Sequence, residues 1–269
     1  MLILALESSA KPVSVAVYRI SDAAQEGKLL GQSFQNNGFS HSRTLLAMTE
    51  SLLSNLEIKP ADIDLIAVAK GPGSFTGVRI GVSAAKGLAW GLDVQVCGVS
   101  TLEAMAYQTE EKGVLICPVM DARREQVYNA LFEWRDGNLI RLCEDRAISI
   151  EELAEDLKSY DKPPLFVGDG VDVCKQNESF SDSSAAPELT SCRESPESPH
   201  TCEAPEQPHR NESPKPPRCR NAPELIRYQT AYGVALAAMH EKPIPAVDLE
   251  PSYLRPSQAE RERNTTKCT

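Results

Sequence analysis

At 269 residues and 41% hydrophobic, the chain can bury one large core or two modest ones, and it has no apolar run long enough to span a bilayer. Its formal net charge of -10 argues against broad contact with nucleic acid, because phosphate binding draws on a field of Lys and Arg. Cysteines at Cys97, Cys117, Cys143, Cys174, Cys192, Cys202, Cys219 and Cys268 include no CxxC pair, so reduced thiols are expected rather than a disulfide framework.

The opening MLILALESS has no basic region and its apolar stretch stops at Glu7, so it reads as a first strand and not a signal peptide; a cytoplasmic protein is the expectation. LILALES, VSVAVYR and KLLGQSF, separated by polar turns, suggest a three-stranded meander. A helix over about Ser40–Leu56 follows, then the strand LIAVA, a glycine-rich loop, a helix over Gly77–Leu92, the strand VQVCGV and a helix from about Thr101. The order is βββαβαβα. A second β-rich region repeats this character from Val114, with VLICPVMD, EQVYNALFEW, NLIRLCEDRA, a helix in ISIEELAEDLKSY and a strand in PLFVGDG.

These readings divide the chain into a first domain over 1–107, completed by a C-terminal helix at 224–241, and a second domain over 108–175. Residues 176–223 turn to Ser, Pro, Glu and Asn with almost no aliphatic side chains, which predicts a disordered low-complexity insertion. A C-terminal segment and tail occupy 242–269. Within the insertion, Cys192, His200, Cys202, His209 and Cys219 lack the tight paired spacing of zinc ligands, so plain disorder is the stronger reading.

The loop GPGSFTGVRIG, Gly71–Gly81, lies where a strand hands over to a helix, a setting suited to anions. Its spacing fits neither familiar cradle. Gly71 and Gly77 enclose five residues and Val78-Arg79 follow, which is not a P-loop, and Gly71, Gly73 and Gly77 give GxGxxxG, which is not the dinucleotide fingerprint. Backbone freedom and close helix approach are the expected use of these glycines. Gly168-Asp169-Gly170 is read as a strand-ending turn, and Asp121, Arg123, Arg124 and Glu125 as a solvated hairpin turn, with a nucleotide-facing turn and a charged catalytic cluster as the respective alternatives.

Two helices carry more apolar surface than one core needs. Leu45, Leu46, Met48, Thr49, Leu52, Leu53 and Leu56 cover an arc of about 160° on the first. On the second, Arg79, Ser83, Lys86 and Trp90 share one narrow arc and nearly everything else is small or aliphatic. Gly77, Gly81, Ala84, Leu88 and Gly91 form a ridge of small bulk that lets helices approach closely, either inside one globule or across an interface.

LALESSAKPVSVAVY, HSRTLL, GPGSFTGVRIGVSAAKGLAWGL, GVSTLEAMAY, MDARREQVY, VGDG and PSYLR together resemble the TsaB (YeaZ) family of bacterial tRNA threonylcarbamoyladenosine (t6A) biosynthesis proteins, over nearly the whole chain except 176–223. The resemblance implies an α/β, duplicated RNase H-like fold of the actin-like ASKHA superfamily, with two mixed-sheet domains flanked by helices. It implies a non-catalytic subunit that pairs with the paralogue TsaD, which transfers a threonylcarbamoyl group to the adenosine next to the anticodon of tRNAs reading ANN codons. TsaE joins this pair, TsaC makes the adenylate, tRNA is reached only through the complex, and the family homodimerises when TsaD is absent.

In the TsaD-like paralogue a metal-binding HxxxH falls on Thr101 and Met105 here, and neither can replace an imidazole. No catalytic, cofactor or metal residue is therefore expected. The implied partner surface is Leu45, Met48, Thr49, Leu52 and Leu56 of the first helix with Gly77, Gly81, Ala84, Ala85 and Leu88 of the second. An ATP-dependent ASKHA enzyme or a metalloprotease-like enzyme is the competing reading. It is disfavoured because Glu7-Ser8-Ser9 leads the first hairpin without the Asp and glycine turn that phosphate chemistry uses.

Overall fold

The computed structural model describes residues 1–21, 27–38, 41–183 and 220–255. The first half opens with the strands β1 (Leu2–Glu7), β2 (Val13–Ile20) and β3 (Gly27–Gln35), followed by helix α1 (His41–Asn55), β4 (Leu65–Gly71), α2 (Phe75–Leu92), β5 (Gln95–Ser100) and α3 (Thr101–Tyr107). Its sheet runs β3-β2-β1-β4-β5, with β1 antiparallel to β2 and parallel to β4.

The strands are apolar on both faces because both faces are covered. Leu4, Leu6, Val15, Val17, Ile66 and Val68 point to one side and pack with Leu45, Met48 and Leu52 of α1 and Val78, Val82 and Ala85 of α2. The alternate residues Ile3, Ala5, Ala16, Tyr18 and Ala67 point to the other side. There they meet α7 (Ala231–Ala238), through Ala231, Val234 and Ala235.

The second half repeats the plan with β6 (Leu115–Arg123), β7 (Gln126–Arg135), β8 (Asn138–Ser149), α4 (Ile150–Leu157), β9 (Pro164–Val167) and α5 (Val171–Gln176), joined at the sheet edge by β10 (Arg220–Asn221). The order is β10-β9-β6-β7-β8. Ile116, Met120, Ala130 and Phe132 pack inward on Leu102, Met105 and Ala106 of α3. Leu115, Cys117, Val119 and Leu131 face outward onto Ile150, Leu153 and Leu157 of α4 and Val171 and Cys174 of α5. The layers are therefore α1/α2, sheet, α3/α7, sheet, α4/α5.

The single C-terminal helix expected at 224–241 is two helices, α6 (Glu224–Arg227) and α7. Tertiary contacts decide the break. The Gln108 side-chain amide donates to Ile226 O and Tyr228 O, both at 2.8 Å, and Thr230 caps α7 by accepting from Gly233 N at 3.2 Å. A Cβ on Gly233 would collide with Ala104 O, so glycine is what permits α3 and α7 to cross closely.

Beyond α7 the chain returns across the molecule. Leu249 is buried in the first core, Ser252 N donates to Lys70 O at 2.7 Å, and Arg255 Nη1 donates to Ala122 O at 2.7 Å on the second half. Among the described residues no helix is long and apolar enough to cross a membrane. Among the described residues, Cys97, Cys117, Cys143 and Cys174 form no disulfide. The remaining cysteines, and most of the expected insertion and its histidines, lie outside the described residues.

Candidate functional site

The glycine loop is pressed against the chain's own backbone. Ser74 N donates to Ser9 O at 2.6 Å, Ser8 Oγ donates to Gly77 O at 2.9 Å, and a Cβ on Gly73 or Gly77 would collide with Ser9 O or Ser8 O. Gly71 has φ +116° and its open side is filled by Ser252 O. Ser74 then caps α2 by accepting from Gly77 N at 3.3 Å. The loop is a tight strand-to-helix joint that fixes α2 against the β1–β2 turn.

That joint determines which face of α2 looks out. Gly77, Gly81 and Ala85 point inward, and a Cβ on Gly81 would meet Ser8 Oγ and Val68. The small-residue ridge thus turns its Gly77 and Gly81 end into the chain's own globule, because the β1–β2 turn needs backbone-close contact there. On α1, Leu45, Met48, Thr49 and Leu52 are likewise buried in the first core, and Thr49 Oγ1 donates to Leu45 O at 2.9 Å. Leu56, Ala84 and Leu88 sit half-buried at its margin. Of the ten residues expected at a partner surface, the first seven named here are occupied by intramolecular packing and these last three retain accessible area.

The exposed apolar surface belongs to neighbours of those residues. Leu46 is 49% exposed and Trp90 87% exposed. Between the two helices runs an open groove of about 600 Å³, bounded by Leu46, Phe75, Arg79, Ile80, Ser83 and Ala84. Arg79 lies 3.9 Å over the Phe75 ring and donates through Nε to Tyr253 Oη at 2.8 Å, which holds this edge in place. Sequence reasoning missed Ile80 and Trp90. Trp90 could have been found as the large aromatic sharing an arc with Arg79, Ser83 and Lys86.

A second concavity, about 440 Å³, opens where the halves meet and shares His41 and Phe75 with the groove. Ser9–Lys11 and Gly73–Phe75 line it from the first half, Asp121–Arg123 and Asp169 from the second, and Ser252–Arg255 from the returning C-terminal segment. Arg123, Arg124 and Glu125 have φ near +60°, making a tight hairpin turn with an Arg123–Asp121 ion pair at 3.1 Å. Gly168-Asp169-Gly170 is also a tight turn, held by Gly168 N to Arg227 O at 2.6 Å and Gly170 N to Val119 O at 3.1 Å. Asp169 is turned into the cleft by it.

Behind the cleft, Glu7 is fully buried; its Oε1 accepts from Ser9 N at 2.6 Å while Oε2 has no partner. Burial raises the Glu7 carboxyl to about 7, the charge of Asp169 adds to this, and the Ser9 hydrogen bonds oppose it. Burial also raises Asp169, against the hydrogen bond from Gln229 Nε2 at 2.7 Å. Thr101 and Met105 are fully buried on α3, and Met105 packs with Leu102, Ile116 and Phe132. At those two positions this chain carries a buried threonine, whose Oγ1 has no partner among the described residues, and a core methionine. Among the described residues no group of three or more His, Cys, Asp or Glu could hold a metal ion.

Two sheets of repeated βββαβα plan, enclosing a pair of helices, define a duplicated RNase H-like protein of the ASKHA superfamily. A family model described as TsaD, tRNA N6-adenosine threonylcarbamoyltransferase, matches residues 37–209. The tRNA threonylcarbamoyladenosine biosynthesis protein TsaB of Bacillus subtilis (strain 168) is 38% identical over 176 residues, covering 65% of this chain and 74% of that protein. The protein of that name from Escherichia coli (strain K12) is 34% identical over 140 residues, 51% of this chain and 57% of its own. A solved YeaZ structure from Pseudomonas aeruginosa superposes with a TM-score of 0.65 at 21% identity, covering 94% of this chain and 99% of that one. The chain belongs to the TsaB (YeaZ) family.

Proposed function

We propose that this chain serves tRNA threonylcarbamoyladenosine biosynthesis as a non-catalytic subunit that pairs with a TsaD-like threonylcarbamoyltransferase through the outer face of α1 and α2. The observation that carries the reading is that face itself: an open apolar groove between α1 and α2 with Leu46 exposed along it, and Trp90 87% exposed further along α2, on helices whose inner sides are packed. Family membership supplies the process, since the relatives are named for it. The burial of Thr101 and Met105 in core supports the absence of catalysis, because no ligand set replaces the paralogue's histidines there.

On this reading the same face closes a homodimer when the transferase is absent, a TsaE-like ATPase joins the heterodimer, and tRNA is contacted through the assembly in the cytoplasm. The test is reconstitution. The purified chain alone forms no threonylcarbamoyladenosine from the adenylate and tRNA, whereas adding TsaD-like and TsaE-like proteins gives activity. Formation of the modified nucleoside by the chain alone overturns the proposal.

A further inference from the structure

At the end of the sheets away from the cleft lies a smaller cavity of about 300 Å³. Its position follows from register: Tyr18 pairs with Ile3 at the start of β1, whereas the cleft residues Ser9–Lys11 follow the end of that strand. The wall is aromatic. Tyr107, at the end of α3, stacks on His240 with centroids 4.8 Å apart and planes 9° apart, and meets Trp134 of β7 edge-on at 6.0 Å. Tyr18 completes the ring set and lies against Gly27, where a Cβ would collide with its ring.

These rings are held in place before any ligand arrives. Trp134 Nε1 donates to Thr109 O, and Tyr18 and Tyr107 are buried. Glu110, exposed, is the acidic side chain among the lining residues, which include no Lys or Arg and one basic group, His240, stacked on Tyr107. The surroundings agree. Burial raises the Tyr18, Tyr107 and Tyr232 hydroxyls, and the charge of Glu110 adds to this at Tyr18 and Tyr232, that of Glu103 and Glu241 at Tyr107. The nearby Arg141 is already engaged by Glu103 and Asp145, each at 2.6 Å.

Fixed aromatic rings in the wall, a carboxylate among the lining residues and a volume at the small end of ligand pockets suit a compact organic cation. We infer that the cavity between Tyr18, Tyr107, Trp134 and Glu110 is a binding site for a small alkylammonium or alkylguanidinium cation. The ring faces supply the quadrupole, the carboxylate selects the sign of charge, and Leu139, Leu236 and Met239 take the alkyl part. This site stands apart from the α1/α2 face, so its failure leaves the proposed function untouched.

The probes are choline, agmatine and 3,3-dimethyl-1-butanol, the neutral isostere of choline. The readout is the indole N–H resonance of Trp134 in the full chain carrying Trp90→Phe, which removes the other, exposed indole. The expected result is a saturable shift with at least one cation, roughly tenfold tighter than with the neutral isostere. Glu110→Gln, an exposed position, should weaken the cation several-fold while its thermal melt stays unchanged. A Trp134 resonance that neither cation moves at tens of millimolar overturns the inference. Equal binding of the neutral isostere, or a folded Glu110→Gln variant with undiminished affinity, does the same.

Discussion

Helices α2 and α4 both cover the outer side of a sheet in the two repeated halves, and they treat solvent differently. α4 buries Ile150, Leu153 and Leu157 and turns Glu151, Glu152 and Glu155 outward, with a Ser149–Glu152 capping box at its start. It is finished by water. α2 packs its inner side down to glycine contact, yet leaves Ile80, Ala84 and Leu88 half-covered and Trp90 open, and α1 leaves Leu46 exposed. The apolar excess on the outer side of the first half is what the proposed partner contact would cover.

The sharpest way to break this contrast is to charge the open face. Ile80→Glu combined with Trp90→Ala should lower affinity for a TsaD-like partner by more than about a hundredfold, since a buried aromatic anchor alone is typically worth about 2 kcal/mol or more and a charge would be buried unpaired. Homodimerisation should fall with it and the thermal melt should not. Sedimentation velocity with and without the partner reads both. Unchanged assembly would place the interface elsewhere.

The contrast also has a buried side, at Glu7 behind the cleft, whose carboxyl is acted on by the charge of Asp169 from the other half. Glu7 is raised from 4.5 to about 7, so the folded state holds its proton more tightly than the unfolded chain. Its contribution is fully present below about pH 4.5, declines as pH rises, and is lost above about 7; the full span is on the order of 3 kcal/mol. Glu7→Gln should flatten that part of the stability profile and make the protein more stable than the parent at pH 8. Denaturant melts at pH 5 and pH 8 test this, and parallel pH dependence in the two proteins would show that Glu7 is not the titrating group.

Within α2 itself, Gly81→Leu should act on the fold rather than on assembly. The new side chain would meet Ser8 Oγ and Val68, and overpacking of this kind costs about 1–3 kcal/mol. Thermal melting should fall while the folded fraction binds partner normally. If the melt is unchanged and only affinity drops, the inner and outer faces of α2 have been assigned the wrong way round.

That assignment was the part of the molecule least legible in the sequence. Strand order and helix positions follow from alternation and composition: Leu4 and Leu6 against Ile3 and Ala5 is a period of two that must be buried twice. Facing on α2 does not, because Gly77 and Gly81 point in while Gly87 and Gly91 point out, and glycine carries no polarity to tell them apart. The excess of apolar surface was visible, but whether Gly81 or Ile80 bears it depends on the Ser8–Gly77 contact, which joins residues sixty-nine positions apart. The break between α6 and α7 was illegible for a similar reason. Periodicity runs on through Tyr228–Thr230, and the freed carbonyls find their partners far along the chain, Ile226 O and Tyr228 O in Gln108 and Arg227 O in Gly168 N.

The smallest predicted effect is the control on α4. Glu155 is exposed and its ion pair with Lys158, at 2.6 Å and three residues on, is a surface pair whose net worth is small after screening and side-chain ordering. Glu155→Gln should therefore change stability by less than about 0.5 kcal/mol. It should also leave partner affinity unchanged, because an acidic, water-finished face has nothing to gain from being covered: each carboxylate buried there would need a cation to replace its hydration. The same sedimentation assay used on α2 gives the answer. A clear loss of affinity on neutralising Glu155 would mean that the partner reads the acidic half, and the inference drawn from the open surface around Trp90 would then have to be withdrawn.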